Sequence, residues 1–308
     1  MRLVTRSDFD GLVCAALLVD AGVVDEYKFV HPKDVQDGKI DITDNDVLAN
    51  IPFDPACGLW FDHHSSEQER LRLNKEYKFT GVSKIAPSCA TVVYEYYGGK
   101  SKFSKFDQNG LMSAVEKSDS ALFTLDDILY PSGWELISFI VDPRTGLGRY
   151  GDYRISNYQL MLAMIEYFRN FNAEQILQIP DVIERVNRYF EQEKLYEEMI
   201  RNNSTTDENV LIIELQEVEE IYTGNRFKEY AMYPDQNVSV KTLWGFKKES
   251  MVISCGHSIT NKTANSNIGS IMLAYGGGGH RFVGTCQVKV ETWKKDRDAI
   301  VNKLIACG

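Results

Sequence analysis

This 308-residue chain has no Cys-x-x-Cys pair; its six cysteines (Cys14, Cys57, Cys89, Cys255, Cys286 and Cys307) are scattered. That argues against a zinc ribbon or a disulfide framework and fits a reducing compartment, where such thiols serve mainly as small buried residues. Positive charge is also short: 34 Lys and Arg stand against 44 Asp and Glu, a net charge of −10. A broad surface for long nucleic acid needs clustered Lys and Arg and is therefore disfavoured. A short phosphorylated substrate is not, because bound metal ions reverse the local field. Long apolar runs are missing as well. None approaches the roughly 20 residues of a membrane-spanning helix, and Met1-Arg2-Leu3-Val4-Thr5 meets an acidic pair too early for a secretory signal. The default expectation is a cytoplasmic protein without a membrane partner.

What remains is globular material, 44% hydrophobic and 25% charged, of a length that suits two domains. Over the first hundred residues strand and helix signals alternate. Strands are expected at Arg2–Thr5, Tyr27–His31, Lys39–Thr43 and Gly58–Phe61, and helices at Gly11–Asp20, stopped by Gly22, and at Cys89–Tyr97, capped by Ser88. This βαβ rhythm predicts a largely parallel sheet with helices on both faces. Residues 107–203 turn mainly helical and end in a long connecting helix. From Asn209 strands return, at Val210–Leu215, Val238–Leu243, Met251–Cys255 and Gly284–Val290, interleaved with helices at Ile268–Ala274 and Trp293–Ala306. The expected organisation is an α/β domain over 1–190, a helical linker over 191–205 and a smaller α+β domain over 206–308.

Four clusters carry the chemistry. Asp8-Phe9-Asp10-Gly11 puts two carboxylates after the first strand, and Asp62-His63-His64 puts a carboxylate and two imidazoles after another. In the second cluster one histidine can bind metal while a carboxylate orients its other nitrogen, leaving the second histidine to face a substrate. Asp119 ends a helical stretch, and Gly276-Gly277-Gly278-Gly279-His280 can bring backbone N–H groups close to phosphate, unless it is only a flexible turn. Oxygen and imidazole groups gathered at element ends read as a divalent-metal site acting on phosphate. Arg144 and Arg149, in a Gly-rich loop, are suited to clamp phosphate if they lean over the cleft.

In their order, Asp-x-Asp-Gly, Asp-His-His, a later Asp and Gly-Gly-Gly-Gly-His-Arg-Phe-Val-Gly-Thr-Cys-Gln resemble the DHH phosphoesterase family, in the branch carrying a C-terminal DHHA1 domain (the nanoRNase and exopolyphosphatase-related type). The resemblance runs from Thr5 to about Val290. It implies that Asp8, Asp10, His63 and Asp119 are metal ligands, that His64 faces the substrate, and that Gly277, Gly278, Gly279 and His280 bind it. It also implies an Asp bridging two metals just past an intermediate strand; Asp46 is favoured over Asp44 and Asp41. His63, His64 and Asp10 are then the catalytic candidates. Two departures stand out. Arg6 occupies the place of a usual metal-ligand His, and Arg has no lone pair to give a metal, so either the first metal site is weakened or Arg6 joins Arg144 as a phosphate contact. His257 stands where nuclease members would carry a basic Arg.

The resemblance implies a two-metal site between the domains, with Mn2+ expected because mixed carboxylate and imidazole ligands suit it better than Mg2+, which stays allowed. The expected activity is hydrolysis of a short phosphate-containing substrate: an oligoribonucleotide, adenosine bisphosphate or a dinucleotide. The alternatives are an exopolyphosphatase or pyrophosphatase, or a weakly active binding protein. The reading leaves room for a homodimer.

Overall fold

The computed structural model describes residues 1–74 and 77–308. Its first sheet has five short strands, β1 (Arg2–Thr5), β2 (Glu26–Phe29), β3 (Asp46–Ala49), β4 (Leu59–Asp62) and β5 (Gly81–Ser83). All are parallel, in the order β2-β1-β3-β4-β5. Parallel strands are buried on both faces, so they read as apolar runs. Leu3, Val47 and Phe61 pack into one core with the helices Phe9–Asp20, Cys89–Tyr96, Leu111–Asp119 and Asn157–Asn170, while Val4, Leu48 and Trp60 pack into the other with Ile51 and Phe53.

The α/β architecture is the one expected, with one strand displaced. Lys39–Thr43 is irregular backbone. Its Ile40 and Ile42 alternate like a strand because both lie half-buried against the second core. The third strand is instead Asp46–Ala49, buried at all four positions. β5 and the short helices Pro32–Gln36 and Ser65–Leu73 also lie outside the expected set.

The strand order reverses between β1 and β3, and in open parallel sheets ligands bind in the crevice beyond the strand ends at that point. The chain leaves β1 there through a tight turn. Asp8 caps the helix Phe9–Asp20 by accepting the Gly11 N–H at 3.1 Å. A Cβ on Gly11 would stand 2.2 Å from the Arg6 carbonyl oxygen, so only glycine fits.

The chain divides into two compact units, Met1–Phe123 with Pro131–Tyr189, and Thr124–Tyr130 with Phe190–Gly308. The boundary falls within the helix Pro180–Asn202. The second unit carries a six-stranded sheet of β6 (Ser204–Asp207), β7 (Val210–Glu214), β8 (Val238–Trp244), β9 (Met251–His257), β10 (Gly278–His280) and β11 (Val283–Val288). The order is β10-β11-β9-β8-β7-β6, antiparallel except for β7 with β8. Val240, Ile253 and Cys286 face a core closed by the helices Ile268–Leu273 and Trp293–Cys307. Among the described residues no helix is long and apolar enough to cross a membrane.

Candidate metal centre and phosphate site

The ends of several elements of the first unit meet beyond β1, β3 and β4. Asp10 is only 2% exposed. Its carboxylate accepts the backbone N–H of Cys89 at 2.9 Å and of Ala90 at 2.7 Å, the opening donors of the helix Cys89–Tyr96 that Ser88 caps. Burial, with the Asp119 and Asp8 carboxylates adding to it, pushes Asp10 well above the usual carboxylate range, and the two N–H donors offset only part of that. A carboxylate held this way requires a proton or a cation beside it.

His63 supplies the other half of the arrangement. Its Nδ1 lies 3.2 Å from the Ala86 carbonyl oxygen, which can only accept, so Nδ1 carries a proton and Nε2 is the nitrogen left to offer a lone pair to a metal. Among the described residues Nε2 is buried without a hydrogen-bond partner, 3.3 Å from Asp119 Oδ2 and 3.8 Å from Asp10 Oδ2. Ligand atoms of Asp10, His63 and Asp119 all lie within 4.8 Å of one another. Burial, followed by repulsion from Asp8, raises Asp119 against the pull of His63, His64 and Arg6. Two carboxylates and an imidazole lone pair facing one gap fit a divalent first-row ion.

The Asp62 carboxylate serves the second histidine, not the first. Oδ2 accepts the His64 backbone N–H and Oδ1 faces Nδ1, each at 2.9 Å. The expected division of labour is therefore reversed: a backbone carbonyl orients the metal-facing His63, and the carboxylate orients His64. Burial works against a charged His64, yet the Asp62, Asp119 and Asp10 carboxylates outweigh it and raise its pKa to about 9. His64 is thus a partly exposed cation at neutral pH, suited to a phosphate oxygen.

Asp8 lies beside this group with its oxygens already engaged. Oδ1 accepts from Gly11 and, at 3.1 Å, from Asn50 Nδ2, and Oδ2 pairs with the Arg6 guanidinium at 2.9 Å. Asn50 is not among the expected residues. It follows β3 in a left-handed conformation at φ 58°, which Asn tolerates, and among the described residues its buried Oδ1 has no partner. The signal for it is a lone polar residue closing the run Val47-Leu48-Ala49, legible only once β3 is placed.

Asp46 does not join the cluster. It opens β3 whereas Asn50 follows the strand's end, about 13 Å of strand away. Burial would raise its pKa, but Arg2, at 2.6 and 2.8 Å, and Thr43 outweigh it and hold the carboxylate low. The expectation of a carboxylate at the strand exit fails because the strand begins close to where the sequence pattern ends one; Asp41 and Asp44 also precede it and are exposed. Arg144 belongs with the cluster. It pairs with Asp142 at 2.8 and 2.9 Å, and Asp8 and Asp119 are close enough to help Asp142 raise its pKa against the effect of burial. Arg149 lies instead over the Tyr150 ring.

In the second unit the glycine run leads into the edge strand β10. Gly277 precedes the strand and Gly278, Gly279 and His280 form it. Gly279, at φ 151°, lets β10 approach β11 so closely that a Cβ would stand 2.3 Å from the Val283 carbonyl oxygen. His280 Nδ1 accepts the Phe282 N–H at 3.3 Å, and the exposed Phe282 ring is flanked by His280 and His257. His257 bonds Ser266 Oγ at 2.9 Å; burial and the neighbouring Arg281 lower its pKa.

No protein-family model and no curated protein matches the chain. Among solved structures, a pGpG-specific phosphodiesterase, PggH, from Vibrio cholerae is 44% identical, with 100% of this chain and 99% of that chain covered and a TM-score of 0.83. A DHH domain described as belonging to a family of ribosomal proteins shares the fold at 11% identity and a TM-score of 0.57, covering 98% of this chain and 86% of its own. With near-complete coverage of a 44% identical phosphodiesterase, and with the Asp-x-Asp, Asp-His-His and later Asp gathered beyond the ends of the parallel strands, the chain belongs to the DHH phosphoesterase family.

Proposed function

We propose that this chain is a divalent-metal-dependent phosphodiesterase that hydrolyses short phosphate-containing substrates, with a linear dinucleotide such as pGpG the first candidate. The observation that carries the reading is the buried, partnerless His63 Nε2 facing Asp10 and Asp119. Similarity to PggH over the whole chain supports the substrate class. Asp10, His63 and Asp119 are the proposed ligands, and Mn2+ the proposed ion for such a mixed donor set. When bound, the ion supplies a Lewis acid for a phosphoryl oxygen and lowers the pKa of its water.

The chain's own groups do the rest. The Cys89 and Ala90 N–H groups fix Asp10 in place, and the Ala86 carbonyl fixes the ring of His63. His64, kept protonated by Asp62, donates to the charge that builds on the phosphate oxygens. Arg144 adds a second cation near Asp8 and Asp119. The first unit is the proposed metal-binding domain. In the second, Gly277, Gly278, Gly279 and His280 are proposed to hold the remainder of the substrate, with Phe282 offering an exposed face to a base. All six cysteines are free thiols, which fits a reducing, cytoplasmic setting.

The test is a panel with Mn2+: a linear dinucleotide, adenosine 3′,5′-bisphosphate, a cyclic dinucleotide, polyphosphate and pyrophosphate. Turnover of the linear dinucleotide at least about a hundredfold above the others, lost on chelation, is expected. Faster turnover of polyphosphate or pyrophosphate overturns the assignment.

A further inference from the structure

Two kinds of carboxylate stand side by side in the first unit. Asp10 and Asp119, with His63, face one another with ligand atoms within 4.8 Å, and His63 Nε2 is buried without a donor. Asp8 is committed elsewhere, to Gly11 and Asn50 through Oδ1 and to Arg6 through Oδ2. The Asn50 amide is oriented by that contact, since turning it over would set its oxygen against the carboxylate. An ion on the Asp8 side would meet a guanidinium, which stays charged and has no lone pair, and an amide in place of a carboxylate. A second divalent ion, implied by the family, does not fit this surrounding.

Resting on the phosphodiesterase reading above, we infer that the site holds one divalent ion, on Asp10, His63 and Asp119, and that the Arg6 guanidinium, positioned by Asp8, takes the place of a second ion toward the substrate phosphate. Arg6 is 30% exposed and so open to an anion on its outer side. A fixed guanidinium stabilises phosphate charge bidentately. It costs the site one metal ligand and makes part of its positive charge permanent.

The test counts ions. Mn2+ is titrated into the chelator-stripped whole chain and followed by the electron paramagnetic resonance of free Mn2+ and by native mass spectrometry. One Mn2+ per chain at saturation, without a spin-coupled pair, is expected, and the double variant Arg6→His, Asn50→Asp should saturate at two. Two ions in the unaltered chain overturn the inference and leave the phosphodiesterase reading standing; no bound ion overturns both. A double variant that folds and stays at one ion overturns the exclusion assigned to Arg6 and Asn50. Arg6→Gln should keep Mn2+ affinity within about threefold while KM for the dinucleotide rises at least about tenfold, with partial rescue in Arg6→Lys. An unchanged KM removes Arg6 from the phosphate and overturns that half of the inference.

Discussion

Replacing His63 with alanine should separate metal binding from folding. The side chain makes one hydrogen bond, from Nδ1 to the Ala86 carbonyl oxygen at 3.2 Å, whose loss costs about 1 kcal/mol. The metal-free protein should therefore melt only about 2–4 °C lower. Metal affinity should fall much further. Disturbing a residue behind a ligand already costs about 10–100-fold, so removing the ligand itself should cost at least about 100-fold, or about 2.7 kcal/mol at 1.36 kcal/mol per tenfold. With Mn2+ at about 1,000 times the parent dissociation constant, the ion stabilises the folded chain by about 4.1 kcal/mol; a hundredfold weaker site leaves about 1.4 kcal/mol. The Mn2+-induced rise in Tm should thus shrink by about 5–11 °C. Calorimetric titration and differential scanning, each with and without chelator, read the two terms separately. A His63→Ala protein that binds Mn2+ within threefold of the parent would refute the assignment of Nε2 as a ligand.

Three further substitutions test neighbouring assignments. Asp119→Asn, at a helix end that is partly open to solvent, should leave the fold intact while weakening Mn2+ binding at least about tenfold and reducing turnover by at least about 100-fold; full turnover in steady-state assays excludes it from the centre. His64→Gln should keep the metal count and lower kcat about 10²–10³-fold with little change in KM; a loss of bound metal by mass spectrometry would instead make His64 a ligand. Asp46→Asn breaks the pair with Arg2 and should cost about 1–3 kcal/mol in a denaturant titration, less than a fully buried pair because Arg2 is partly exposed. Metal affinity and turnover should stay within about twofold, and a larger loss would return Asp46 to the site.

Much of this molecule is legible in its sequence because the signals are local. The apolar run after Met1, the Ser88 cap and the strands from Val210 onward all sit within two residues of their expected places. The acidic and histidine clusters are legible for the same reason, since each lies at an element end that the sequence itself marks. Lys39–Thr43 shows where local reading fails. Its alternating isoleucines give a strand period, yet they face a core from a loop, and the buried run Asp46–Ala49 beside them has no alternation to announce it. One displaced strand then shifts the expected strand exit from Asn50 to Asp46. The β10 edge strand is invisible for another reason. Gly278 and Gly279 carry no β signal, and the pairing with β11 that makes them a strand is a close backbone approach.

Which carboxylates serve a metal is a tertiary property, and the accounting of their lone pairs decides it. A carboxylate offers about four acceptor sites. Asp46 has four donors on it: two from Arg2 and, from Thr43, both the backbone N–H and the hydroxyl. Nothing remains for an ion, although its position just after a strand-like stretch makes it the sequence's choice. Asp8 receives two N–H donors and a guanidinium, one of them from a residue 42 positions away. Asp10 receives two backbone N–H groups and, at 3.9 Å, the weak Cys14 thiol donor, all neutral groups that fix its plane and leave its charge uncompensated. Among the described residues Asp119 accepts no hydrogen bond from a neutral donor; its Oδ2 lies 3.3 Å from His63 Nε2. Compensation therefore falls from Asp46 through Asp8 to Asp10 and Asp119, and the demand for an external cation rises in the same order. The motif Asp-x-Asp names two equivalent residues; the fold makes one of them a helix cap that holds an arginine and leaves the other buried and in need of a proton or a cation.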